Sequence, residues 1–330
     1  MNRQWLYAKQ PVGKIGPDTF EWRETAIPEP REGEALVRTR MLSLDPANRA
    51  WMMGKTYRDA LEPGQVMSGF TIGEVVESKA PGLARGDIVE GDWGWQDYAA
   101  VSPRQLTKRT TKAPFEMLIG PLSVTGLTAY FGLLQVGQPK PGDTVLVSAA
   151  AGAVGSMVGQ IARIAGCRVV GTAGGKDKCD WLTRELGFDA AVDYKAGGVR
   201  RAIADAAPNG IDVYFDNTGG PVLDIALFLM NLRGRVVCCG NVSQYDVEKP
   251  APGPMGVPGL VVVKRIRMEG FIVTDFYDRR AEAEARLASW IADGRIKAEV
   301  DVFDGLERAP EALIGLFEGN NRGKRAVRVS

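Results

Sequence analysis

The chain has 330 residues, of which 45% are hydrophobic and 25% are charged, and its 41 basic and 40 acidic side chains give a formal net charge of +1. This length allows two domains with a core each, and the balanced charge provides no long-range field that would attract nucleic acid or an anionic membrane surface. The sequence contains no histidine, which excludes Ser-His-Asp triads, Cys-His nucleophile pairs, histidine general bases and histidine-ligated zinc.

The four cysteines, Cys167, Cys179, Cys238 and Cys239, form no C-x-x-C pair. We interpret them as small core residues, and because Cys238 and Cys239 are adjacent in a predicted strand, their side chains should point to opposite faces of the sheet. The sequence has no apolar N-terminal segment typical of a signal peptide, and no apolar run approaches the roughly 20 residues of a membrane span. We therefore expect a cytoplasmic protein without a membrane or metal partner.

Residues 1–123 carry short patterns typical of strands, which are separated by proline and glycine. The clearest of these patterns are Glu34–Arg40, Thr71–Glu77 and Asp87–Glu90. Several short strands bounded by turn residues predict a domain that is mainly β.

From Val124 onward, long helical patterns alternate with apolar strand patterns. The predicted strands are Thr144–Ser148, Arg168–Thr172, Ala190–Asp193, Ile211–Asp216, Arg235–Gly240 and Arg267–Val273. Five or six parallel strands joined by crossover helices predict a doubly wound α/β sheet. After a charged helix over Asp278–Asp293, the chain returns to strand patterns. We therefore predict that a dinucleotide-binding domain of residues 124–295 is inserted into a domain of residues 1–123 and 296–330, with the substrate cleft between them.

The segment from Thr144 to Lys178 has the pattern of one strand-helix-strand unit with a nucleotide-binding turn. In the turn, Gly152 would allow a pyrophosphate to approach the free N–H groups of the helix, and Gly155 would allow the helix to pack closely on the strand. Ala150 stands where the usual G-x-G-x-x-G pattern has its first glycine. The strand before and the helix after the turn predict nucleotide binding, and the alternative is a glycine-rich helix start of purely structural use.

The end of the second strand indicates which nucleotide is bound. Residues Gly171–Lys178 read GTAGGKDK, without an acidic residue at the strand tip to accept hydrogen bonds from the ribose of NAD. Two lysines follow, and a cation would balance the 2′-phosphate of NADPH. We therefore predict NADPH rather than NADH, with Lys178 as the main phosphate ligand and Lys176 as the second. The alternative is that both lysines are solvated surface residues.

Seven motifs follow one another along essentially the whole chain: Leu42–Pro46, Gly94–Tyr98, Gly126–Tyr130, Phe215–Gly220, Val242–Tyr245, Met268–Val273 and Asn321–Lys324. Together they resemble the zinc-independent medium-chain dehydrogenase/reductases, in the branch of the leukotriene hydroxydehydrogenases, prostaglandin reductases, plant alkenal double-bond reductases and curcumin-reductase-like enzymes. The resemblance implies a Rossmann domain inserted into a GroES-like, mainly β catalytic domain, and a homodimer. It also implies NADPH-dependent reduction of the C=C bond of α,β-unsaturated aldehydes and ketones.

The resemblance further assigns cofactor contacts to positions of this chain. These positions are Gly152, Ala153, Val154, Gly155, Lys178, Tyr194, Asn217, Cys239, Gly240, Ser243, Phe271, Ile272, Val273 and Asn321. Lys178 and Tyr194 correspond to the adenosine phosphate end, and the backbone of residues 271–273 corresponds to the segment that holds the nicotinamide carboxamide. Asn217 and Asn321 are equally typical of turns, and Tyr194 of an aromatic residue at a strand end.

Tyr245 is the candidate catalytic residue. Hydride addition to the β-carbon of an enone places negative charge on the carbonyl oxygen, so the main requirement is a hydrogen-bond donor at that oxygen. The resemblance assigns this role to Tyr245, shared with the cofactor ribose hydroxyl. Without a histidine, we expect the α-carbon to take its proton from water or through Tyr245. The alternative for Tyr245 is an aromatic residue that lines the pocket or anchors a loop.

The substrate side departs from the family at one position, because Ala47 stands where many relatives carry an aromatic residue. The loss of a ring should open the pocket. The loop Lys249–Pro258 is rich in proline and glycine and is expected to lie over the cleft as a lid. The residues expected to line the substrate pocket are Asn48, Trp51, Tyr57 and Trp95. The alternative for the three aromatic residues is that they belong to the core.

Two other functions remain open from the sequence. The same scaffold would serve the reduction of quinones or carbonyl groups, and product analysis separates the two reactions by which double bond is reduced. A non-catalytic NADPH-binding protein is the third interpretation, and only an assay of turnover separates it from an enzyme. The sequence does not name the physiological substrate.

Overall fold

The computed structural model describes residues 1–329, which form fifteen strands and ten α-helices. The elements before residue 124 are β1 (Asn2–Tyr7), β2 (Phe20–Thr25), β3 (Ala35–Leu44), α1 (Pro46–Trp51), β4 (Thr71–Ser78), β5 (Ile88–Gly91), β6 (Tyr98–Val101), β7 (Leu106–Lys108) and α2 (Phe115–Leu118). The next elements are α3 (Val124–Phe131), β8 (Thr144–Val147), α4 (Ala153–Ile164), β9 (Arg168–Ala173), α5 (Lys176–Arg184), β10 (Ala190–Asp193), α6 (Val199–Ala206), β11 (Ile211–Asp216), α7 (Gly220–Leu229), β12 (Met230–Cys238), α8 (Gly259–Lys264), β13 (Arg267–Gly270) and α9 (Arg280–Ala292). The last elements are β14 (Val300–Asp304), α10 (Ala309–Phe317) and β15 (Lys324–Arg328). Within residues 1–329, none of the helices combines the length and apolar character needed to cross a membrane.

The middle of the chain forms a parallel sheet of six strands in the order β10-β9-β8-β11-β12-β13. Numbered from its own first strand, the order is 3-2-1-4-5-6, which is that of a doubly wound dinucleotide-binding sheet. All four residues of β8 are buried, as expected for a strand covered by helices on both faces. The predicted doubly wound α/β fold is confirmed, and we call this sheet with α3–α9 the nucleotide lobe.

Neighbouring residues of the central strands enter two different cores, because successive side chains of a strand point to opposite faces. In β11, Phe215 packs in a core that continues into the first part of the chain, whereas Tyr214 packs in a core on the other face of the sheet. In β8, Val147 and Leu146 divide in the same way. The continuous apolar runs of these strands are therefore explained by burial on both faces.

A second sheet joins the two ends of the chain, in the order β14-β15-β3-β4-β5-β7, with β6 also paired to β3. Strand β15 is antiparallel to β3, with Val327 opposite Leu42, and β14 is parallel to β15. We call this sheet, with β1, β2, α1, α2 and α10, the N-terminal lobe. The domain boundaries given above stay a prediction.

Strand β12 ends earlier than the predicted strand Arg235–Gly240. The N–H groups of Cys239 and Gly240 donate to the carbonyl oxygen of Asp216, at 2.9 and 3.1 Å, instead of continuing the ladder. Cys239 therefore lies beyond the strand, but it packs against the core that contains Phe215, whereas Cys238 packs against the core that contains Tyr214. The prediction that the two side chains point to opposite faces of the sheet is confirmed. All four cysteines are free thiols, one buried and three half-buried.

The two lobes meet at a cluster of buried ions. Arg109 donates to Glu90 at 3.1 Å and to Glu284 at 2.5 Å. Arg280 of α9 pairs with both glutamates as well. Two arginines and two glutamates balance each other, which offsets the cost of burying each charge. The cluster fixes α9 of the nucleotide lobe to β5 of the N-terminal lobe.

Candidate functional site

The predicted cofactor positions lie along the carboxyl edge of the parallel sheet. The residues that follow its strands are Gly152 after β8, Tyr194 after β10, Asn217 after β11, Cys239 after β12 and Phe271 after β13. Strands β8 and β11 lie side by side where the strand order reverses, and ligands of doubly wound sheets bind outside the carboxyl ends at this point. The fold thus brings together positions that are far apart in the sequence.

The turn after β8 leads into a helix with an open N-terminus. Gly152 is the N-cap residue of α4, and no side chain caps the helix. The first N–H groups, including those of Ala153 and Val154, are therefore available to an anion. A Cβ atom on Gly155 would lie 2.8 Å from the Cα atom of Ala150, so only glycine allows this close packing of helix on turn. The turn fits a pyrophosphate group.

Lys178 of α5 lies in a concentration of positive charge. Its Nζ atom donates to the carbonyl oxygen of Gly319 at 2.8 Å. Burial lowers the pKa of Lys178, and further cations lower it more: Lys195, Arg325 and Arg322. Such a group of cations is what a 2′-phosphate requires. Sequence reasoning missed Lys195 and Arg322, although the position of Lys195 just beyond the third parallel strand is a signal that points to the same edge.

Lys176 and Lys178 have different surroundings in the structure. Lys176 forms an exposed ion pair with Asp180 at 2.5 Å, one helical turn away. Tyr194 is 46% exposed, and its hydroxyl would lie 2.8 Å from a Cβ atom on Gly174. The Tyr194 side chain therefore lies against the loop that connects β9 to α5.

Asn217 and Asn321 both order the backbone beside the turn. The Asn217 side-chain amide donates to the Ser148 carbonyl oxygen at 2.7 Å, which ties the end of β11 to that of β8. Asn321 is 7% exposed and its amide donates to the Gly323 carbonyl oxygen at 3.1 Å. The N–H of Gly323 donates to the Ala151 carbonyl oxygen at 2.9 Å. Both asparagines thus act as turn residues here, and their contact with a cofactor stays a prediction.

The segment after β12 crosses the sheet edge as a loop held by hydrogen bonds. The N–H of Gly240 donates to the Asp216 carbonyl oxygen at 3.1 Å, and the Ser243 hydroxyl donates to the Thr218 carbonyl oxygen at 2.7 Å. Burial raises the pKa of the Cys239 thiol to about 12. Cys239 therefore stays neutral in the site.

Phe271 fixes the segment after β13. Its ring centroid lies 6.5 Å from that of Phe215 and 6.3 Å from that of Phe276, both in edge-on contact. Ile272 and Val273 are half-buried beside it. Aromatic packing of this kind holds the backbone of the segment in one position, next to the end of the neighbouring strand β12.

Tyr245 has a neutral and oriented phenol. The backbone N–H of Asn241 donates to the Tyr245 hydroxyl at 3.1 Å. Burial raises the pKa of Tyr245 above its usual value, although the Asn241 N–H opposes the rise. Because the contact with Asn241 uses a lone pair of the phenol oxygen, the O–H hydrogen is left for another acceptor.

A group of aromatic residues lies near Tyr245. The indole N–H of Trp51 donates to the Tyr57 hydroxyl at 3.2 Å, and the Arg58 guanidinium lies 4.3 Å from the centre of the Trp51 ring. Burial raises the pKa of Tyr277 to about 12 and that of Tyr245 above its usual value, and the Tyr57 phenol adds a smaller rise to both. Sequence reasoning missed Tyr277, since nothing local to its motif distinguishes it from a surface residue.

Two predicted pocket residues are packed inside the N-terminal lobe. Asn48 is 1% exposed; its amide donates to Ser68 at 2.9 Å and its oxygen accepts from the N–H of Asp45 at 2.8 Å. Trp95 is fully buried and stacks on Phe20 with a centroid distance of 5.4 Å. Neither side chain offers a surface to a substrate, because Asn48 closes the first turn of α1 and Trp95 fills the core. Their predicted place in the pocket is wrong.

The segment Lys249–Pro258 forms neither helix nor strand. The N–H of Ala251 donates to the Gln244 side chain at 2.6 Å, and the N–H of Met255 donates to Asp224 at 3.0 Å. Both contacts are to the nucleotide lobe. Movement of this loop as a lid stays a prediction.

Two family models match the chain. The model described as the N-terminal domain of oxidoreductase matches residues 3–109, and that described as zinc-binding dehydrogenase matches residues 153–292. The second description refers to zinc, whereas this chain has no histidine. In the part of the chain that the structure describes, no three His, Cys, Asp or Glu side chains are grouped so as to hold a metal ion.

Similar proteins cover nearly the whole chain. It is 42% identical to the NADPH-dependent curcumin reductase of Escherichia coli over 100% of this chain and 97% of that protein. It is also 42% identical to the NADP-dependent 2-alkenal reductase of Nicotiana tabacum, over 92% of this chain and 89% of that protein. Among solved structures, CurA of Vibrio vulnificus in complex with NADPH superposes with a TM-score of 0.94 at 41% identity, with 99% of each chain covered.

Proposed function

Because the chain belongs to the zinc-independent medium-chain dehydrogenase/reductases, in the branch that contains the alkenal and curcumin reductases, we propose that it reduces the C=C bond of α,β-unsaturated ketones and aldehydes. It is an NADP(H)-dependent oxidoreductase, like the relatives that it matches over their full length. The proposal adds the substrate class and the residues that act on it.

The carboxyl edge of the parallel sheet is suited to NADPH. The open N-terminus of α4 offers backbone donors to a pyrophosphate. We assign the 2′-phosphate to Lys178, together with Lys195 and Arg322, whose charges act on it, and we place the adenosine beside Tyr194. When bound, NADPH supplies a hydride to the β-carbon of the substrate.

Tyr245 carries the proposed chemistry. As the new C–H bond forms at the β-carbon, the π electrons of the C=C bond move toward the carbonyl oxygen and an enolate develops. The neutral Tyr245 phenol donates a hydrogen bond to that oxygen, while the Asn241 N–H holds the phenol oxygen from the other side. The α-carbon then takes a proton from water or from Tyr245, which leaves the saturated ketone or aldehyde.

We propose that Trp51, Tyr57 and Tyr277 form an apolar wall for the substrate. Tyr57 and Tyr277 are 62% and 37% exposed and lie on different lobes. Ala47, on the same helix as Trp51, presents only a methyl group. A wall of rings with one small position suits planar, conjugated substrates of some bulk.

The oriented phenol of Tyr245 is the observation that carries the proposal, and a variant tests it. The purified protein is given a simple enone with NADPH or NADH, and the product is identified by mass analysis. We expect the saturated ketone, a preference for NADPH, and turnover lowered about 10- to 1,000-fold in Tyr245→Phe, since removal of one donor to a developing oxyanion has effects up to this size.

The matched control is Tyr98→Phe, which removes a hydroxyl from β6 of the N-terminal lobe and should leave turnover unchanged. An allylic alcohol as product would instead assign the protein to carbonyl reduction. NADPH binding without turnover of any enone would assign it to the non-catalytic binding proteins.

We also propose that the protein is a homodimer formed through the nucleotide lobe. Exposed apolar side chains gather where α7, α8 and β12 meet: Phe228, Leu232, Val262 and Val263, at 43, 59, 69 and 66% exposure. Lys264 holds α8 in place by donating to the Phe228 carbonyl oxygen at 2.6 Å. An apolar surface beside the edge strand β13 is suited to a second copy of the chain. The cytoplasmic location stays a prediction.

A further inference from the structure

A fully buried arginine connects α1 to the segment of Tyr245. Arg49 has no exposed surface, and its Nε atom lies 3.2 Å from Oδ1 of Asp246, the residue after Tyr245. Its Nη2 atom donates to the carbonyl oxygen of Gly13 at 2.7 Å. A guanidinium removed from water needs a charged partner and hydrogen bonds, and Arg49 finds its charged partner on the other lobe.

The Asp246 carboxylate is held by the N-terminal lobe on two sides. Besides Arg49, the N–H of Ile15 donates to the same oxygen, Oδ1, at 2.7 Å. The Asp246 side chain is only 13% exposed. These contacts join Asp246 to a helix and to a loop that both precede the nucleotide lobe in the chain.

Tyr245 therefore lies between two anchors. On its N-terminal side, Ser243 is bound to Thr218 of the nucleotide lobe. On its C-terminal side, Asp246 is bound to the N-terminal lobe through Arg49. The position of the phenol relative to Trp51, which lies two residues after Arg49 on α1, depends on the second anchor.

We propose that Arg49 and Asp246 are positioning residues that hold the Tyr245 phenol in register with the substrate pocket across the cleft. This role rests on the proposed function of Tyr245. A donor displaced by about 1 Å loses up to about 100-fold in rate, whereas the cofactor contacts of the sheet edge do not involve this pair. Loss of the pair should thus lower kcat and leave the affinity for NADPH unchanged.

The test compares Asp246→Ala and Asp246→Asn with the intact protein. Asparagine keeps an oxygen that can accept from Ile15 and Arg49, so Asp246→Asn is expected to fold and to lose less activity than Asp246→Ala. The matched control is Asp18→Ala, which removes an exposed carboxylate paired with Lys9 at 2.6 Å in the same N-terminal segment. We expect kcat for an enone to fall about 10- to 100-fold in Asp246→Ala, with an unchanged dissociation constant for NADPH.

A second background separates positioning from a general loss of stability. In Tyr245→Phe, which lacks the donor, the additional change Asp246→Ala should alter kcat less than about 2-fold. An equal loss in both backgrounds, or unchanged kcat in folded Asp246→Ala and Asp246→Asn, would overturn the positioning role. If Tyr245→Phe by itself turned over like the intact protein, the role of Tyr245 and that of the pair would both be rejected, and this single variant identifies that case.

Discussion

Lys178 and Lys176 are two positions apart in the sequence and have different surroundings in the structure. Lys176 is paired with Asp180 on the exposed face of α5. Lys178 is half-buried, has a carbonyl oxygen as its hydrogen-bond partner, and lies among other cations. A bound phosphate would relieve the repulsion around Lys178 and would gain nothing from Lys176.

We therefore predict that Lys178→Ala weakens NADPH binding about 10- to 100-fold, the range for loss of a charged hydrogen bond. NADH, which lacks the 2′-phosphate, should bind equally well to both proteins. Fluorescence titration of the purified proteins with each cofactor measures the effect. Lys176→Ala is the matched control and should change neither affinity. An equal loss for NADPH in both variants would contradict the assignment.

The same environment predicts a pH dependence. Only the protonated ammonium of Lys178 attracts the phosphate, and burial with the neighbouring cations lowers its pKa from the usual 10.5 in the free protein. The affinity for NADPH should therefore fall as the pH rises through this lowered pKa, at a lower pH than that at which an ordinary lysine loses its proton. In this pH range the binding of NADPH should take up protons. Dissociation constants for NADPH and NADH between about pH 7 and about pH 10 test this. A parallel fall for NADH would refute it.

Buried polar contacts hold helix α1 in its position. It has six residues, too few to be stable by itself in water. Asp45 and Asn48 close its first turn through side chain and backbone. Lys324 of β15 donates to the Leu44 carbonyl oxygen at 2.7 Å and lies 3.0 Å from Asp45. The helix that carries Trp51 and Arg49 is thus positioned by the last strand of the chain.

Lys324→Met tests this dependence. The change removes the buried cation that balances the Asp45 carboxylate and takes one donor from the Leu44 carbonyl oxygen, so we expect the free energy of unfolding to fall by about 3 kcal/mol. Urea denaturation followed by circular dichroism measures it. Lys9→Met, which breaks the exposed pair with Asp18, should leave the free energy of unfolding nearly unchanged, because solvent screens an exposed pair. Equal effects of the two changes would show that burial of the Lys324 pair does not increase its contribution to the free energy of unfolding.

At the scale of the whole molecule, contacts between the two lobes bound the cleft. The nucleotide lobe also has an exposed apolar surface. The Arg109, Glu90, Arg280 and Glu284 cluster joins the lobes on one side, and the pair of Arg49 and Asp246 joins them at Tyr245. No such contact explains the apolar character of three exposed residues of the nucleotide lobe, Leu232 of β12 and Val262 and Val263 of α8. A second copy of the chain would cover them.

Val262→Glu combined with Val263→Glu tests the dimer. Two carboxylates on each copy would face each other across a two-fold interface and would have to lose their hydration. We expect sedimentation velocity to show a dimer for the intact protein and a monomer for the double variant. The control is Val12→Glu, at an apolar residue of the N-terminal lobe that is 86% exposed. A dimer that survives in the double variant places the interface elsewhere.

The sequence by itself determined the parallel sheet, the nucleotide-binding turn and the choice of cofactor. These features depend on local patterns: apolar runs such as residues 144–147, glycine at 152 and 155, and the absence of an acid at the tip of the second strand. Burial on both faces and the steric limits of a turn act within a few residues, so the sequence displays them directly.

Only the tertiary structure decided which side chains meet across the cleft. The motif around Asn48 and the tryptophan at position 95 suggested pocket residues, but Asn48 is buried by its contact with Ser68 and Trp95 by stacking on Phe20. The contacts of Arg49 with Asp246 and of Lys178 with Gly319 join residues that are remote in the chain. Such contacts depend on the packing of whole elements, and no local pattern of residues encodes them.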